Sequence, residues 1–253
     1  MLPLQTMSQL PHDHITPYKE SEKPKKEQVA EMFDRIAGRY DFMNRLLTGG
    51  IDIGWRKKAI RTLKKYSPKQ ILDIATGTGD LAIMAQKILG PEKITGIDIS
   101  GEMLEIGKKK LQKAGFEAKI VLQKGDCEDL QFTENSFDAA MAAFGVRNFE
   151  DLEKGLAEIH RVLKSNGQLM ILEFSQPKSG MFSPLYKFYM KIVAPQFAKM
   201  FTQDSEAYQY LNESAKAFPE RDNLVNILKK VGFKNANYKA LSFGICCIYR
   251  AEK

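Results

Sequence analysis

The chain has 253 residues, 43% of them hydrophobic, enough for one full α/β core with a smaller appendage. A formal net charge of +7 and a pI of about 9.1 suit an anionic partner, without choosing among nucleic acid, a membrane surface and a phosphorylated substrate. Three cysteines show no metal spacing and no disulfide framework, the first ten residues do not read as a secretory signal, and no apolar run reaches the roughly 18 residues of a membrane span; a soluble or peripheral protein of a reducing compartment is expected.

Residues 1–26 are polar, with prolines at 3, 11, 17 and 24, and predict a mobile arm in which His12 and His14 are solvated. Val29, Met32, Phe33 and Ile36 give residues 27–40 the spacing of a helix. Residues 40–44 and 48–52 read as a turn-rich link, and residues 51–66 as a second helix with Trp55, Ala59, Ile60 and Leu63 turned inward. A strand–helix alternation then begins. Strands are predicted at 71–74, 93–97, 118–123, 137–142 and 168–174, with helices to about 89, over 101–113 capped by Ser100, and over 151–163. Residues 177–219 hold no clear strand, and residues 181–201 mix Phe, Tyr and Met with lysines. After a helix at 224–231, strands at 237–241 and 244–249 are joined by so short a link that they must run antiparallel. Cys246 and Cys247 then point to opposite faces.

Chemistry concentrates where strand one meets its helix, Asp73-Ile74-Ala75-Thr76-Gly77-Thr78-Gly79-Asp80. Gly77 and Gly79 allow a sharp turn and close approach of a ligand, and the helix that follows aims free N–H groups at it. The same glycines satisfy a dinucleotide fingerprint, so a nicotinamide or flavin dinucleotide competes with S-adenosyl-L-methionine. Asp98, closing strand two, suits the ribose hydroxyls of either. Three features favour S-adenosylmethionine. Asp73 precedes the glycines, where a pyrophosphate would be unwelcome but a cofactor ammonium is held directly or through an ordered loop. Gly125-Asp126-Cys127 follows strand three, with an acid for the adenine amino group and a backbone N–H for a ring nitrogen. An antiparallel pair closes the chain.

Taken together, these residues resemble a Rossmann-like class I methyltransferase, an α/β fold with a seven-stranded, mostly parallel sheet, an antiparallel last strand and N-terminal helices. More narrowly, Tyr40-Asp41-x-Met43-Asn44 with Leu47, Thr48, Asp52 and Trp55, and Arg161-Val162-Leu163-Lys164 through Leu172-Glu173-Phe174-Ser175, are similar to the signatures of the ubiquinone/menaquinone biosynthesis C-methyltransferases. Phe144-Gly145-x-Arg147-Asn148 agrees. The resemblance covers residues 25–252, and residues 27–253 are expected to form the methyltransferase domain. It implies S-adenosyl-L-methionine contacts at Gly77, Thr78, Gly79, Asp98, Asp126 and Cys127, and no metal. It also implies a polyprenylated naphthoquinol substrate methylated on a ring carbon, with Arg147 and Asn148 as catalytic candidates that position the quinol oxygen and stabilise its phenolate. Ala143 stands where the family often has a serine, so no cofactor contact is expected there.

The resemblance leaves Asp80 as a partner acid or a helix-terminus charge, and Tyr40 as a cover for the cofactor or a core tyrosine. Residues 181–201 are open to a ring pocket, a tail groove or a homodimer contact. The expected place is the cytoplasm, peripheral on the inner face of the membrane, where the basic charge meets anionic lipid. The wording around residues 25–33 and 50–58 resembles menaquinone-only members more than ubiquinone-pathway or dual-specificity ones. A nucleic-acid partner is not expected, since no added module or base-methylating motif appears; a methyltransferase acting on RNA or another small molecule, a nicotinamide oxidoreductase and a non-catalytic scaffold are the rival functions.

Overall fold

The computed structural model describes residues 10–177 and 205–253. Seven strands form one sheet: β1 (Gln70–Ile74), β2 (Lys93–Asp98), β3 (Ile120–Lys124), β4 (Phe137–Ala143), β5 (Leu163–Phe174), β6 (Lys234–Leu241) and β7 (Cys246–Glu252). Their order is β3-β2-β1-β4-β5-β7-β6, and β7 alone runs against its neighbours. The chain moves outward from β1 to β3 and then returns to the other side of β1. The carboxyl ends of β1 and β4 therefore flank a topological switch point, where open α/β sheets bind ligands.

Strand residues alternate between two cores, as the period of two requires. Ile71, Ile94, Met141 and Leu172 pack with Trp55 and Ile60 of α2 (Ile51–Arg61), Leu81 of α3 (Asp80–Leu89) and Leu104 of α4 (Gly101–Ala114). Leu72, Ile97, Ala140 and Ile171 pack with Leu156 of α5 (Leu152–Val162). Cys246 and Cys247 fall into different cores, on opposite faces as expected. Two further helices, Ser205–Ala217 and Asp222–Val231, are named α6 and α7.

Several expectations are corrected. The turn-rich link over 40–44 is helical: α1 runs unbroken from Lys25 to Thr48 and stops at Gly49, whose φ of 59° is left-handed. No Gly or Pro interrupts residues 40–48, and their polar side chains serve tertiary contacts rather than a turn. Strand five begins earlier than the expected residue 168: Ser165-Asn166-Gly167 belongs to an irregular start of β5, with Asn166 at φ 65°. It is tied to the chain's end by Asn166 N–H to Lys253 O and Lys253 N–H to Gly167 O. Of the arm, residues 1–9 lie outside the described residues, but from Leu10 onward the chain is seated on the body. His12, expected to be solvated, is fully buried, edge-on to Phe218 at 5.6 Å, and its carbonyl accepts from Lys25 Nζ. Burial lowers its pKa to about 3. Residues 181–201 fall within the undescribed segment. Among the described residues no helix is long and apolar enough to cross a membrane.

Candidate functional site

The loop after β1 is held from below and from the side. Asp73 is buried, and its carboxylate accepts the Thr76 hydroxyl at 2.6 Å. Burial pushes this acid up to about 7. Of its two expected roles, the described contacts are those of ordering the loop. Gly77 N–H donates to one oxygen of Asp98 at 2.7 Å and Ser100 N–H to the other at 2.9 Å. Each oxygen keeps a second lone pair, so the carboxylate still offers two acceptors toward ribose hydroxyls. Burial raises Asp98 to about 6.

Gly77, Asp98, Asp126 and Cys127 line one cleft at the switch point; Thr78 and Gly79 do not. Thr78 is buried behind the loop, donating its hydroxyl to Asp41 of α1 and accepting from Lys110 of α4. Lys110 also pairs with Asp41 at 2.5 Å and Asp80 at 2.6 Å, and Arg45 reaches Asp80 at 3.2 Å. Asp80 therefore serves this clamp. Gly107 lets α4 lie against the loop: a Cβ there would meet Leu122 Cδ1 at 2.6 Å and the Thr78 carbonyl carbon at 3.2 Å. The clamp fixes the backbone that Gly77 presents to the cleft.

The floor after β3 is Asp126, Cys127 and Glu128. Asp126 accepts Glu128 N–H on one oxygen and Lys26 Nζ on the other, the latter at 2.5 Å. Lys26 also stands 3.2 Å from Glu128. Lys26, expected in the arm, belongs to the first turn of α1 and lines the cleft with Val29, Phe33 and Tyr40 of the same helix. Its spacing of seven from Phe33 was the available signal. Cys127 is buried, and burial pushes its thiol well above the ordinary range, so it is inert and offers the cleft its backbone and its bulk.

Asn148 lines the fourth side, beside Ala143, Phe144 and Gly145. It accepts a hydrogen bond from the Tyr210 hydroxyl of α6 at 3.2 Å. Arg147 does not line the cleft. It sits behind Asn148, where one guanidinium nitrogen donates to Phe144 O at 2.6 Å and to Glu173 of β5 at 2.7 Å. Its guanidinium carbon lies 5.6 Å from the Phe174 ring centre. Tyr40 is edge-on to Phe33 at 5.7 Å, and burial raises its hydroxyl's pKa. Glu173 and Tyr210 were missed as functional candidates. A single acid inside the apolar run of β5 was a signal for the first, because a buried charge must find a partner. Tyr210 had none. Among the described residues no group of three His, Cys, Asp or Glu side chains is placed to hold a metal.

A sequence profile of the ubiE/COQ5 methyltransferase family matches residues 21–253. The demethylmenaquinone methyltransferase of Bacteroides fragilis is 46% identical over 243 residues, covering 96% of this chain and 99% of the relative. The ubiquinone/menaquinone biosynthesis C-methyltransferase UbiE of Geotalea daltonii is 46% identical over 231 residues, 90% of this chain and 97% of its own. Among solved structures, an S-adenosylmethionine-dependent methyltransferase of Thermotoga maritima superposes with a TM-score of 0.62 at 20% identity, over 88% of this chain and 99% of that one.

Proposed function

The chain belongs to the ubiE/COQ5 methyltransferase family, and from that premise we propose how its cleft methylates a quinol. The reaction transfers a methyl group from S-adenosyl-L-methionine to a ring carbon of demethylmenaquinol, giving menaquinol. The observation that carries the assignment of the site is convergence: backbone and acids from three separate strand ends, Gly77, Asp98 and Asp126, face one cleft that Asn148 and one face of α1 also line. The cleft suits the cofactor. Asp98 retains acceptors for the ribose, Ile99 and Met103 offer apolar surface to the adenine, and Asp126, shared with Lys26, accepts from its amino group. When bound, the cofactor supplies an electrophilic methyl on a positively charged sulfur.

The chain's own residues must then hold a poorly nucleophilic aromatic carbon in line with that methyl. Alignment of this kind supplies several kcal/mol. Removal of a proton from the ring hydroxyl raises electron density in the ring, so the substrate is the reduced quinol. Asn148 orients the ring oxygen, Tyr210 fixes the Asn148 amide, and Arg147 supplies positive potential from behind. Tyr40, Phe33 and Phe149 exclude water from the cleft. The polyprenyl tail keeps the substrate in the bilayer. The protein therefore works on the inner membrane face, where its net charge of +7 favours anionic lipid.

The test gives purified protein reduced demethylmenaquinone and methyl-labelled S-adenosylmethionine. Label on ring carbon is expected. Label on oxygen, or stabilisation by nicotinamide dinucleotides and not by S-adenosylhomocysteine, overturns the reading.

A further inference from the structure

Behind Asn148 lies a buried pair the reaction scheme above leaves half used. Glu173 is fully buried and Arg147 is 4% exposed. One Glu173 oxygen takes everything the pair offers, accepting from Arg147 and from Phe174 N–H at 2.9 Å. The other, Glu173 Oε2, has no hydrogen-bond partner among the described residues, and neither does Arg147 Nε. An unpartnered carboxylate oxygen and an unpartnered guanidinium N–H in the same buried pair are costly in any purely structural role. Both are what a proton transfer next to an oxyanion needs: a lone pair to receive the proton and a donor to receive the charge. On the reading that the cleft methylates a quinol, we propose that Glu173 is the terminal acceptor of the ring-hydroxyl proton, while Arg147 passes from the carboxylate to the new phenolate.

The step balances. The hydroxyl O–H bond breaks and an O–H bond forms on Glu173 Oε2 through an intervening water, because neither member of the pair lines the cleft itself. The phenolate's ring carbon then bonds the methyl as the carbon–sulfur bond opens onto sulfur. The ring oxygen is left as a carbonyl. That carbon loses its hydrogen as a proton to solvent, and the carbonyl oxygen recovers a proton from Glu173, which restores the aromatic ring and the carboxylate. Net charge explains why the pair is buried. Before the transfer Glu173 and Arg147 neutralise each other; afterward Arg147 and the phenolate do. Once the methyl has moved, Arg147 faces a neutral carbonyl, and the proton that Glu173 returns restores the ion pair, so the Arg147 charge goes unpaired only in that one step.

The groups facing Glu173 are Arg147 after β4, Tyr210 of α6 and Cys246 of β7, with Tyr40 of α1 facing Arg147. Burial pushes the Glu173 carboxyl upward and Arg147 pulls it back, leaving it above the usual range. A carboxylate in that position is a better proton acceptor than an exposed one.

The deciding variant is Glu173→Gln, which keeps an acceptor for Arg147 and Phe174 N–H but cannot take the proton. Expected is a kcat loss of at least about 100-fold, with KM for the methyl donor and affinity for S-adenosylhomocysteine within about twofold of the unaltered protein. The loss shrinks as the ring hydroxyl of a naphthol series is made more acidic. In the unaltered protein kcat falls as pH drops through the Glu173 titration; in Glu173→Gln that acidic limb disappears, and in Glu173→Asp it survives at reduced rate. A Glu173→Gln kcat within about threefold of the unaltered protein, a loss indifferent to ring acidity, or a retained acidic limb overturns the assignment. Should that variant fail to fold, the unaltered protein decides alone: a kcat that ignores both ring acidity and acidic pH rejects Glu173. Absence of ring-carbon label with unaltered protein defeats the functional reading instead.

Discussion

The two loops that frame the cleft meet at one contact between small residues, and that contact makes a sharp test. Ala75 opens the glycine loop in the left-handed region, at φ 50°. A Cβ on Gly145 would lie 2.5 Å from the Ala75 Cβ. Gly145 itself has φ −111° and ψ −34°, a conformation open to alanine, so Gly145→Ala fails by collision rather than by backbone strain. Overpacking of this kind costs roughly 1–3 kcal/mol, and in a chain of this size each kcal/mol lowers Tm by about 2–4 °C. Removing the opposing methyl should undo most of it. In Ala75→Gly, Gly145→Ala the nearest remaining neighbours are Ala75 O at 3.6 Å and Cα at 3.8 Å, which is ordinary contact. Ala75→Gly alone relieves left-handed strain of about 1–2 kcal/mol and adds roughly 0.4–1 kcal/mol of unfolded-chain freedom, so it runs from neutral to about 1.6 kcal/mol stabilising. Denaturant unfolding of the four proteins should therefore give a coupling of about 1–3 kcal/mol favouring the double variant. Titration with S-adenosylhomocysteine should show weakened binding in Gly145→Ala that returns in the double variant, because both residues line the cleft. Effects that add to within about 0.5 kcal/mol would refute the contact.

Other outcomes follow from buried charges and one indole. Asp73→Asn keeps an acceptor for Thr76; because burial raises the native carboxyl from 3.8 to about 7, ionising it opposes folding. The Tm advantage of the variant should be absent near pH 4, grow up to about pH 7 and stay constant above, and a pH-independent offset would reject this. Lys110→Met should lower stability by roughly 1–3 kcal/mol at neutral pH by leaving Asp41 and Asp80 facing each other. For Asp80, burial acts upward, but Lys110 and Arg45 more than offset it and hold the acid below its ordinary 3.8, so this deficit should shrink once pH falls below that value. Trp55→Phe keeps the edge contact with Phe174 but loses the indole N–H bond to Ser242 Oγ, which should cost about 1 kcal/mol by denaturant unfolding.

What was legible in the sequence was local. The strand, the acid and the glycine turn of residues 71–79 are neighbours in the chain, so their pattern survives without knowledge of the fold. The same holds for Asp98, the last residue of β2, and Asp126, two residues beyond β3, each following an apolar run that announces its strand. Thr78 and Gly79 lie in that loop, but neither lines the cleft. Nothing local tells which face of a turn a hydroxyl takes; that is decided by Asp41 and Lys110, 37 and 32 residues away. Tyr210 was illegible for the same reason, and Lys26 had only its spacing from Phe33, since a lysine or tyrosine on an amphipathic helix is ordinary until its partner across the fold is known. Glu173 was half legible: its burial followed from the strand, its partner did not.

The signature Tyr40-Asp41-x-Met43-Asn44 shows why the misread turn matters. As a loop it would be a recognition motif of unknown direction. As part of a 24-residue helix, about 36 Å long, it gains two fixed faces. Lys26, Phe33 and Tyr40, spaced by seven, share the face that closes the cleft, while Asp41, one residue on and about 100° round, reaches the Thr78 and Lys110 clamp. A single rigid element thus sets the distance between the Asp126 end of the cleft and the end at Tyr40 and Asn148. A break at residues 40–44 would uncouple the two ends. The absence of glycine and proline there is therefore part of the site's construction as much as the glycines of the binding loop are.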